Sequence, residues 1–423
     1  MDIEELFSEM LNLGDKWAVK EIDLNQEEEK IDLKVFDTKE VLNGLNCPCC
    51  EGTELRIKDH VRERTWSHLK LWSYQTNLSC RLPRAQCKKC KKAWTIKAPW
   101  EGKNKHSSKD FEALSLTLMR HMPVSKVAQL MNVDDQKLWR ILEKYVDEAR
   151  EELDWSDLTR IGVDELSSAK GHKYLSVFVD METRAVLYAT KGKDNTVFED
   201  FCTELYLRNG HPYAITEVSM DMSPAYQKGV NENMRNATKV FDHFHVMQNV
   251  NKALGKVCAR ERRKKGEIRE LLKKPRTFQK NNDKLKDAEI EVIEQLKEMN
   301  TATGKAHQMK LNLQGIFRTS SSVKALLGFK AWIHWVKEEA KVEDFKYFLN
   351  PMLKLATSIE KHLQGIMARW RHGTNNGILE GINSVFSAVK RQARGFKAPE
   401  YLKWMLYLTA GKLPSIPYLI PNK

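Results

Sequence analysis

The chain has 423 residues, 41% of them hydrophobic and 30% charged, which is enough for several domains with real cores. Lys and Arg number 70 against 57 Asp and Glu, a formal net charge of +13, so a polyanionic partner, nucleic acid first, is expected. The acidic start "MDIEELFSEM" lacks the basic-then-apolar pattern of a secretory signal, and no apolar run is long enough to span a bilayer, so an intracellular protein without membrane partners is expected.

Six of the eight cysteines fall between positions 47 and 90, a clustering that points to metal rather than to a disulfide framework. "CPCC" supplies Cys47 and Cys50, and "CKKC" supplies Cys87 and Cys90. Each Cys-x-x-Cys pair can grip one side of a tetrahedral zinc ion, and four thiolates leave no open position for water, so the zinc is expected to be single and structural. Thirty-six residues separate the pairs, and "TWSHLKLWSY" and "LSCRLPRAQC" predict strands between them. Cys49 and Cys80 are spare thiols that could substitute. Reduced cysteines without metal are the alternative.

From Lys105 to Ala149 the pattern turns helical. Val127, Leu130 and Met131 form one apolar face, "NVDD" supplies a turn and a cap, and Leu138, Ile141, Leu142 and Tyr145 form a second face. Two short helices joined this way suit a helix-turn-helix whose second helix turns Gln136, Lys137, Arg140 and Lys144 toward DNA. A plain helical hairpin fits the same pattern.

Past Asp154 the period changes to that of strands. "TRIGVDELSS" is one strand, "KYLSVFVDMETRAVLYAT" a hairpin turning at "DMET", and "NTVFEDFCTELYLRNG" a helix with Val197, Phe201 and Leu205 in a row. "YAITEVSMDMSPAY" and "ATKVFDHFHVMQNV" each read as a strand passing into a helix. Five strands in this order fit a mixed sheet that sets Asp164 beside Asp221. Neighbouring carboxylates repel, and divalent cations with oxygen ligands, such as magnesium, are the usual reason to keep them together.

A third carboxylate comes from "NNGILEGINS", residues 375 to 384. In a helix from about Gly377, residues Ile378, Ile382, Val385, Phe386 and Val389 form one stripe, leaving Glu380 on a polar face with Asn383, Ser384, Ser387 and Arg391. Between Asp221 and Glu380 lie 158 residues, including ten basic against three acidic residues from Lys252 to Lys274 and long helical patterns. This predicts an all-helical insertion. Arg262, Arg263, Lys264 and Lys265 are candidate phosphate contacts, as are Arg391 and Arg394 behind the glutamate helix. Trp332, Trp335 and Trp370 could stack on a base, although aromatic residues at helical spacing are more often core. Glu165 is expected on the strand face opposite Asp164, and Asp180, Asp194 and Glu199 have turn or capping explanations.

"IGVDELS", "SMDMSPAY", "FDHFHVMQNVNKAL" and "NNGILEGINSVFSAVKRQARGF", with the paired cysteines, resemble the ISL-three family of bacterial insertion-sequence transposases nearly end to end. The resemblance implies a ribonuclease-H-like mixed sheet core, interrupted by the helical insertion and preceded by the zinc module and the helix-turn-helix, in a multidomain α/β chain. It puts Asp164, Asp221 and Glu380 in an Asp-Asp-Glu catalytic triad holding two magnesium ions, or manganese in their place. Asp242 and His245 of "DHFH" match an auxiliary signature. Thr374 stands where such enzymes commonly carry serine, while the glutamate and the following Gly-x-Asn are intact.

The expected division is 1–100 for the zinc-binding module, 101–152 for the helix-turn-helix, 153–250 and 371–423 for the two parts of the core, and 251–370 for the insertion. The implied activity is cleavage and joining of double-stranded DNA at terminal inverted repeats and target, by a homo-oligomer in the bacterial cytoplasm, associated with the nucleoid. A silent DNA-binding regulator derived from such an enzyme, and a structure-specific nuclease with the same core, remain alternatives.

Overall fold

The computed structural model describes residues 2–169, 173–264, 266–280, 284–372, 377–393, 396 and 398–417. They form two compact units, one from residues 1–153 with 388–423 and one from residues 154–387. Among the described residues, no helix is long and apolar enough to cross a membrane.

The first unit opens with helix α1 (Ile3–Met10) and two small sheets. β1 (Trp17–Asn25), β2 (Lys30–Asp37), β5 (Gln75–Cys80) and β4 (Arg64–Ser67) lie in that order in one sheet, with β2 and β5 parallel. β3 (Leu55–His60), β6 (Pro83–Cys87) and β7 (Ala93–Thr95) form the other, antiparallel throughout. Alternate residues of β2, Ile31, Leu33 and Val35, point into a core with Val19, Leu78 and Trp66. Trp100 meets Trp17 and Trp66 edge to face, with centroids 5.3 and 5.8 Å away. This module therefore has an apolar core of its own besides the cysteine cluster.

Helices α2 (Lys109–His121), α3 (Val124–Met131) and α4 (Asp135–Glu151) follow. α3 stops because Asn132 adopts the left-handed conformation (φ 53°), and α4 starts because the Asp134 carboxylate accepts the Gln136 N–H at 2.6 Å. The second helix is not short: it runs 17 residues, with Leu138, Ile141, Leu142, Tyr145 and Val146 buried along one face. α15 (Pro399–Ala410) packs against α4 and α2.

The second unit holds a five-stranded mixed sheet of β8 (Arg160–Ala169), β9 (Lys173–Asp180), β10 (Val186–Lys191), β11 (Glu217–Met220) and β12 (Thr238–Phe241), in the spatial order β10-β9-β8-β11-β12. β10, β9 and β8 are antiparallel, whereas β8, β11 and β12 run parallel. Connecting helices are α5 (Thr196–Leu207), which packs Val197, Phe201 and Leu205 inward, and α6 (Pro224–Asn233), with Pro224 in its first turn. All four residues of β11 are buried, as a parallel strand covered on both faces requires.

From β12 the chain enters α7 (His243–Glu261), then α8 (Glu267–Leu271), α9 (Asp287–Glu298), α10 (Ala302–Arg318), α11 (Ser322–Glu339), α12 (Glu343–Lys361), α13 (Leu363–His372) and α14 (Gly377–Gln392). Among the described residues no strand occurs past β12. α7 packs on α10 and α12. Trp332 is 1% exposed and donates its indole N–H to Met309 O at 2.8 Å, so it belongs to the core and cannot stack on a base. On α14, Ile382, Phe386 and Val389 are buried as the stripe requires.

Candidate active site and candidate metal centre

Sheet register brings three aspartates level. Gly162 of β8 pairs with Ser219 of β11, so Asp164 and Asp221, each two residues further on, lie side by side across parallel strands. Met220 pairs with Phe241, and the Asp242 N–H donates to Met220 O at 3.0 Å, so Asp242 stands level on the next strand. Parallel strands ending together make a crevice at their carboxyl ends, where α/β sheets bind ligands.

Each aspartate is held differently. Asp164 is 9% exposed; its Oδ1 accepts the Glu165 N–H at 2.7 Å and its Oδ2 accepts the Asn383 Nδ2–H at 2.5 Å. Burial alone would raise its pKa, but hydrogen bonds from His245 and Asn383 and the His245 charge hold it below the usual carboxylate range. Asp221, half-buried, accepts the Ser223 N–H at 2.8 Å. Burial pushes its pKa up and the Asp164 charge adds to that, against the pull of Ser223, His245 and Lys193. Asp242 caps α7 by accepting the Phe244 N–H at 2.8 Å. His245 Nε2 lies 3.6 Å from Asp164 Oδ1 and 3.9 Å from Asp242 Oδ2. Burial works against its protonation, yet Asp164, Asp242 and Asp221 outweigh it and raise its pKa.

Glu380 lies one helical turn before Asn383 on α14, so its backbone is positioned by the element that donates to Asp164. Its side chain, with Thr374, Asn375 and Asn376 of the same motif, lies outside the described residues. Glu165 pairs with Ser176 in a regular stretch of the β8–β9 ladder, which alternates it to the sheet face opposite Asp164. Burial raises the pKa of its half-buried carboxyl against the pull of Lys193, and the Asp221 and Asp164 charges add to the rise.

The cysteines form two matching knuckles. Cys47 N–H donates to Gly52 O and Cys87 N–H to Lys92 O, both at 3.0 Å, and each turn is closed by a left-handed residue, Glu51 (φ 57°) or Lys91 (φ 60°). The sulfurs of Cys47, Cys50, Cys87 and Cys90 all lie within 4.8 Å of one another, with Cys47 to Cys90 at 3.5 Å and Cys50 to Cys87 at 3.6 Å. Thiolates about 2.3 Å from a tetrahedral ion are about 3.8 Å apart, so this donor set fits a metal ion. Cys49 is exposed on the first knuckle, and Cys80 is buried on β5, where burial pushes its thiol up to about 12; neither joins the cluster.

On α4, Gln136, Arg140 and Lys144 are exposed, and Lys144 Nζ donates to Lys103 O at 3.1 Å. Lys137 instead turns inward, donating to Ser67 Oγ and His106 O at 3.0 Å each and lying over the Phe111 ring, because its stem has apolar surface to cover. Arg262, Arg263, Lys264 and Arg391 are exposed, whereas Lys265 and Arg394 lie outside the described residues. Sequence reasoning passed over Lys193 and the role of Asn383, although the spacing of three from Glu380 carried a signal for the latter.

Residues 161–406 match a transposase family model, and residues 96–146 match the helix-turn-helix domain of transposase family ISL3. The transposase for insertion sequence element IS1001 of Bordetella parapertussis is 25% identical over 367 residues, covering 84% of this chain and 86% of that protein. The transposase for insertion sequence element IS1557 of Mycobacterium tuberculosis is 25% identical over 384 residues, covering 84% and 83%.

Proposed function

Because the chain belongs to transposase family ISL3, we propose that it binds the terminal inverted repeats of its own element and cleaves and rejoins DNA strands there. The observation that carries this reading is the hydrogen bond from Asn383 to Asp164, which ties the helix bearing Glu380 to the strand pair bearing Asp164 and Asp221. The catalytic carboxylates are then Asp164, Asp221 and Glu380 on a ribonuclease-H-like sheet, with the helices from α8 to α13 as its insertion. Clustered carboxylate oxygens are the donors that hard divalent cations take, and a cation would offset both the burial of the Asp221 carboxylate and its repulsion from Asp164. Two magnesium ions held there would polarise the scissile phosphate and activate the attacking oxygen, first of water and then of a 3′-hydroxyl.

The chain's own groups do the rest. Asn383 fixes the orientation of Asp164, and His245 Nε2, 3.6 Å from Asp164 Oδ1 and 3.9 Å from Asp242 Oδ2, would help hold those carboxylates in place. The four clustered cysteines would hold one structural zinc. Gln136, Arg140 and Lys144 would meet DNA from the helix-turn-helix, with Arg262, Arg263, Lys264 and Arg391 on phosphates. The division 1–100, 101–152, 153–250, 251–370 and 371–423 belongs to this proposal, as do assembly as a homo-oligomer on DNA and residence in the bacterial cytoplasm.

The test is an assay of the full chain with magnesium on a duplex carrying the inverted repeat that flanks its gene, together with a target duplex. Cleaved and joined products support the reading. Cleavage without joining assigns a nuclease, and binding without cleavage assigns a regulator.

A further inference from the structure

The hairpin between β4 and β5 takes no part in the sites described above. The strands are antiparallel, the His68 N–H donates to Thr76 O at 2.9 Å, and Leu71 and Tyr74 exchange N–H to O bonds at 3.1 and 3.0 Å, so Trp72 and Ser73 form a two-residue tip. Trp72 holds a left-handed backbone (φ 54°), which such tips normally give to Gly or Asn, and it is 86% exposed. A tryptophan covers more apolar area on burial than almost any other side chain, so a ring held out at a rigid tip is available to a partner.

Both stems of the hairpin are fastened to the helix-turn-helix. On the first, Ser67 O accepts the Ser108 N–H at 2.9 Å, and His68 Nδ1 lies 2.8 Å from Ser108 Oγ, the cap of α2. Ser67 Oγ also accepts from Lys137 Nζ, in the first turn of α4, at 3.0 Å. On the second stem, Gln75 Oε1 accepts from Asn132 Nδ2 at 3.0 Å, the same Asn132 whose left-handed backbone ends α3. Lys137 and Asn132 therefore tie the hairpin to the turn and to the start of the second helix. Trp72 stands three residues before Gln75, so its Cα lies within about 11 Å of that anchor.

The second helix of a helix-turn-helix enters the major groove by its N-terminal residues, and a hairpin fixed beside that end lies along the flanking duplex. Residues 68–74, "HLKLWSY", include the exposed Lys70 and no acidic residue, which suits a polyanion rather than another protein surface. The next groove along is the minor one, only about 6 Å wide, where apolar side chains serve as wedges against the sugars and base edges.

We propose that residues 68–74 are a DNA-binding wing: with α4 in the major groove of the repeat, Trp72 packs into the adjoining minor groove and Lys70 meets a phosphate beside it. The inference rests on the helix-turn-helix meeting the repeat and deepens that reading.

The experiment footprints the full chain on the inverted-repeat duplex with two probes, methylation of guanine N7 for the major groove and hydroxyl radical for the sugars of the minor groove. The parent is expected to protect guanines and, next to them, a short run of sugars. Trp72→Ala should bind about tenfold more weakly and, at saturating protein, lose the sugar protection while keeping that of the guanines; Trp72→Phe should retain most of both. Sugar protection kept by Trp72→Ala overturns the wing, and slower sedimentation of that variant without DNA then assigns Trp72 to a contact between chains. Loss of both footprints at saturation assigns the ring to the fold and overturns the wing as well. A parent that protects guanines but no neighbouring sugars overturns it while leaving repeat binding standing. A parent that protects neither overturns the reading of the helix-turn-helix and the wing with it.

Discussion

His307 and Lys310 stand one turn apart on α10, both buried, and only the lysine has hydrogen-bond partners: Lys310 donates to Phe278 O at 3.1 Å and Lys280 O at 2.5 Å. Neither His307 ring nitrogen has one. Burial, helped by the Lys310 and Lys297 charges, pushes the His307 pKa down to about 4 from the ordinary 6.5. The unfolded chain therefore takes up a proton near pH 6.5 that the folded chain refuses until about 4. Stability is lost as pH falls through that window, by about 3 kcal/mol at roughly 1.4 kcal/mol per pKa unit. Denaturant unfolding at pH 7 and 4.5 checks this: His307→Leu should lose less stability than the parent over that range, and an identical loss in both contradicts it. Asn383 offers a second test. Asn383→Ala removes the donor to Asp164, so cleavage should fall about ten- to a hundredfold. Its acid limb should move to higher pH, because Asp164 loses a bond that favours its charged form. Unchanged cleavage by Asn383→Ala would leave that hydrogen bond without a role in the chemistry.

At the scale of elements, the sequence was most legible where period and punctuation agreed. The hairpin at "DMET", the α5 stripe, Pro224 at the start of α6 and the apolar face of α14 all follow from spacing and local backbone chemistry. In residues 17–37 a bulge between Val19 and Glu21 splits the alternation of β1 into Trp17–Val19 and Ile22–Leu24 and most of the strand is exposed, whereas β2 keeps an unbroken alternation of Ile31, Leu33 and Val35. Lys137 was assigned outward because a helical wheel cannot show that Ser67 and the His106 carbonyl wait for it. Spacing puts Asn383 on the polar face with Glu380, but it cannot show that the amide reaches Asp164 from across the chain. The knuckles were legible because Cys-x-x-Cys spacing is local, whereas the core beside them was assembled from three distant tryptophans. Replacing Cys47, Cys50, Cys87 and Cys90 with serine should remove about one equivalent of zinc and loosen β3, β6 and β7. The near-ultraviolet signal of the Trp17–Trp66–Trp100 group should persist, since the cluster around it is drawn mainly from β1, β2, β4 and β5. Parent protein without stoichiometric zinc, or loss of the tryptophan signal in the variant, contradicts this.

Over the whole molecule, the net charge of +13 is reflected in exposed cations at Arg140 and Lys144 of α4 and at Arg262, Arg263 and Lys264 after α7. Each phosphate contact releases condensed counterions, so repeat binding should weaken steeply with salt, by at least about tenfold between 50 and 200 mM. Alanine at Arg262, Arg263 and Lys264 should flatten the log–log slope by about one per lost contact. A salt-independent affinity would remove the phosphate role of these residues. Binding and chemistry are assigned to different side chains, cations for phosphate and carboxylates for cleavage, which makes them separable by experiment. The most direct measurement is repeat-duplex cleavage with magnesium, alongside a binding titration, for Asp164→Asn, Asp221→Asn, Glu380→Gln and the hairpin-turn control Asp180→Asn. Glu165 is unsuited as a control because it feels both aspartates. Each of the first three should cut slower by about a hundredfold or more while binding within about twofold, and the control should match the parent. Parental cleavage by Glu380→Gln would contradict the triad and send the search for its third carboxylate elsewhere.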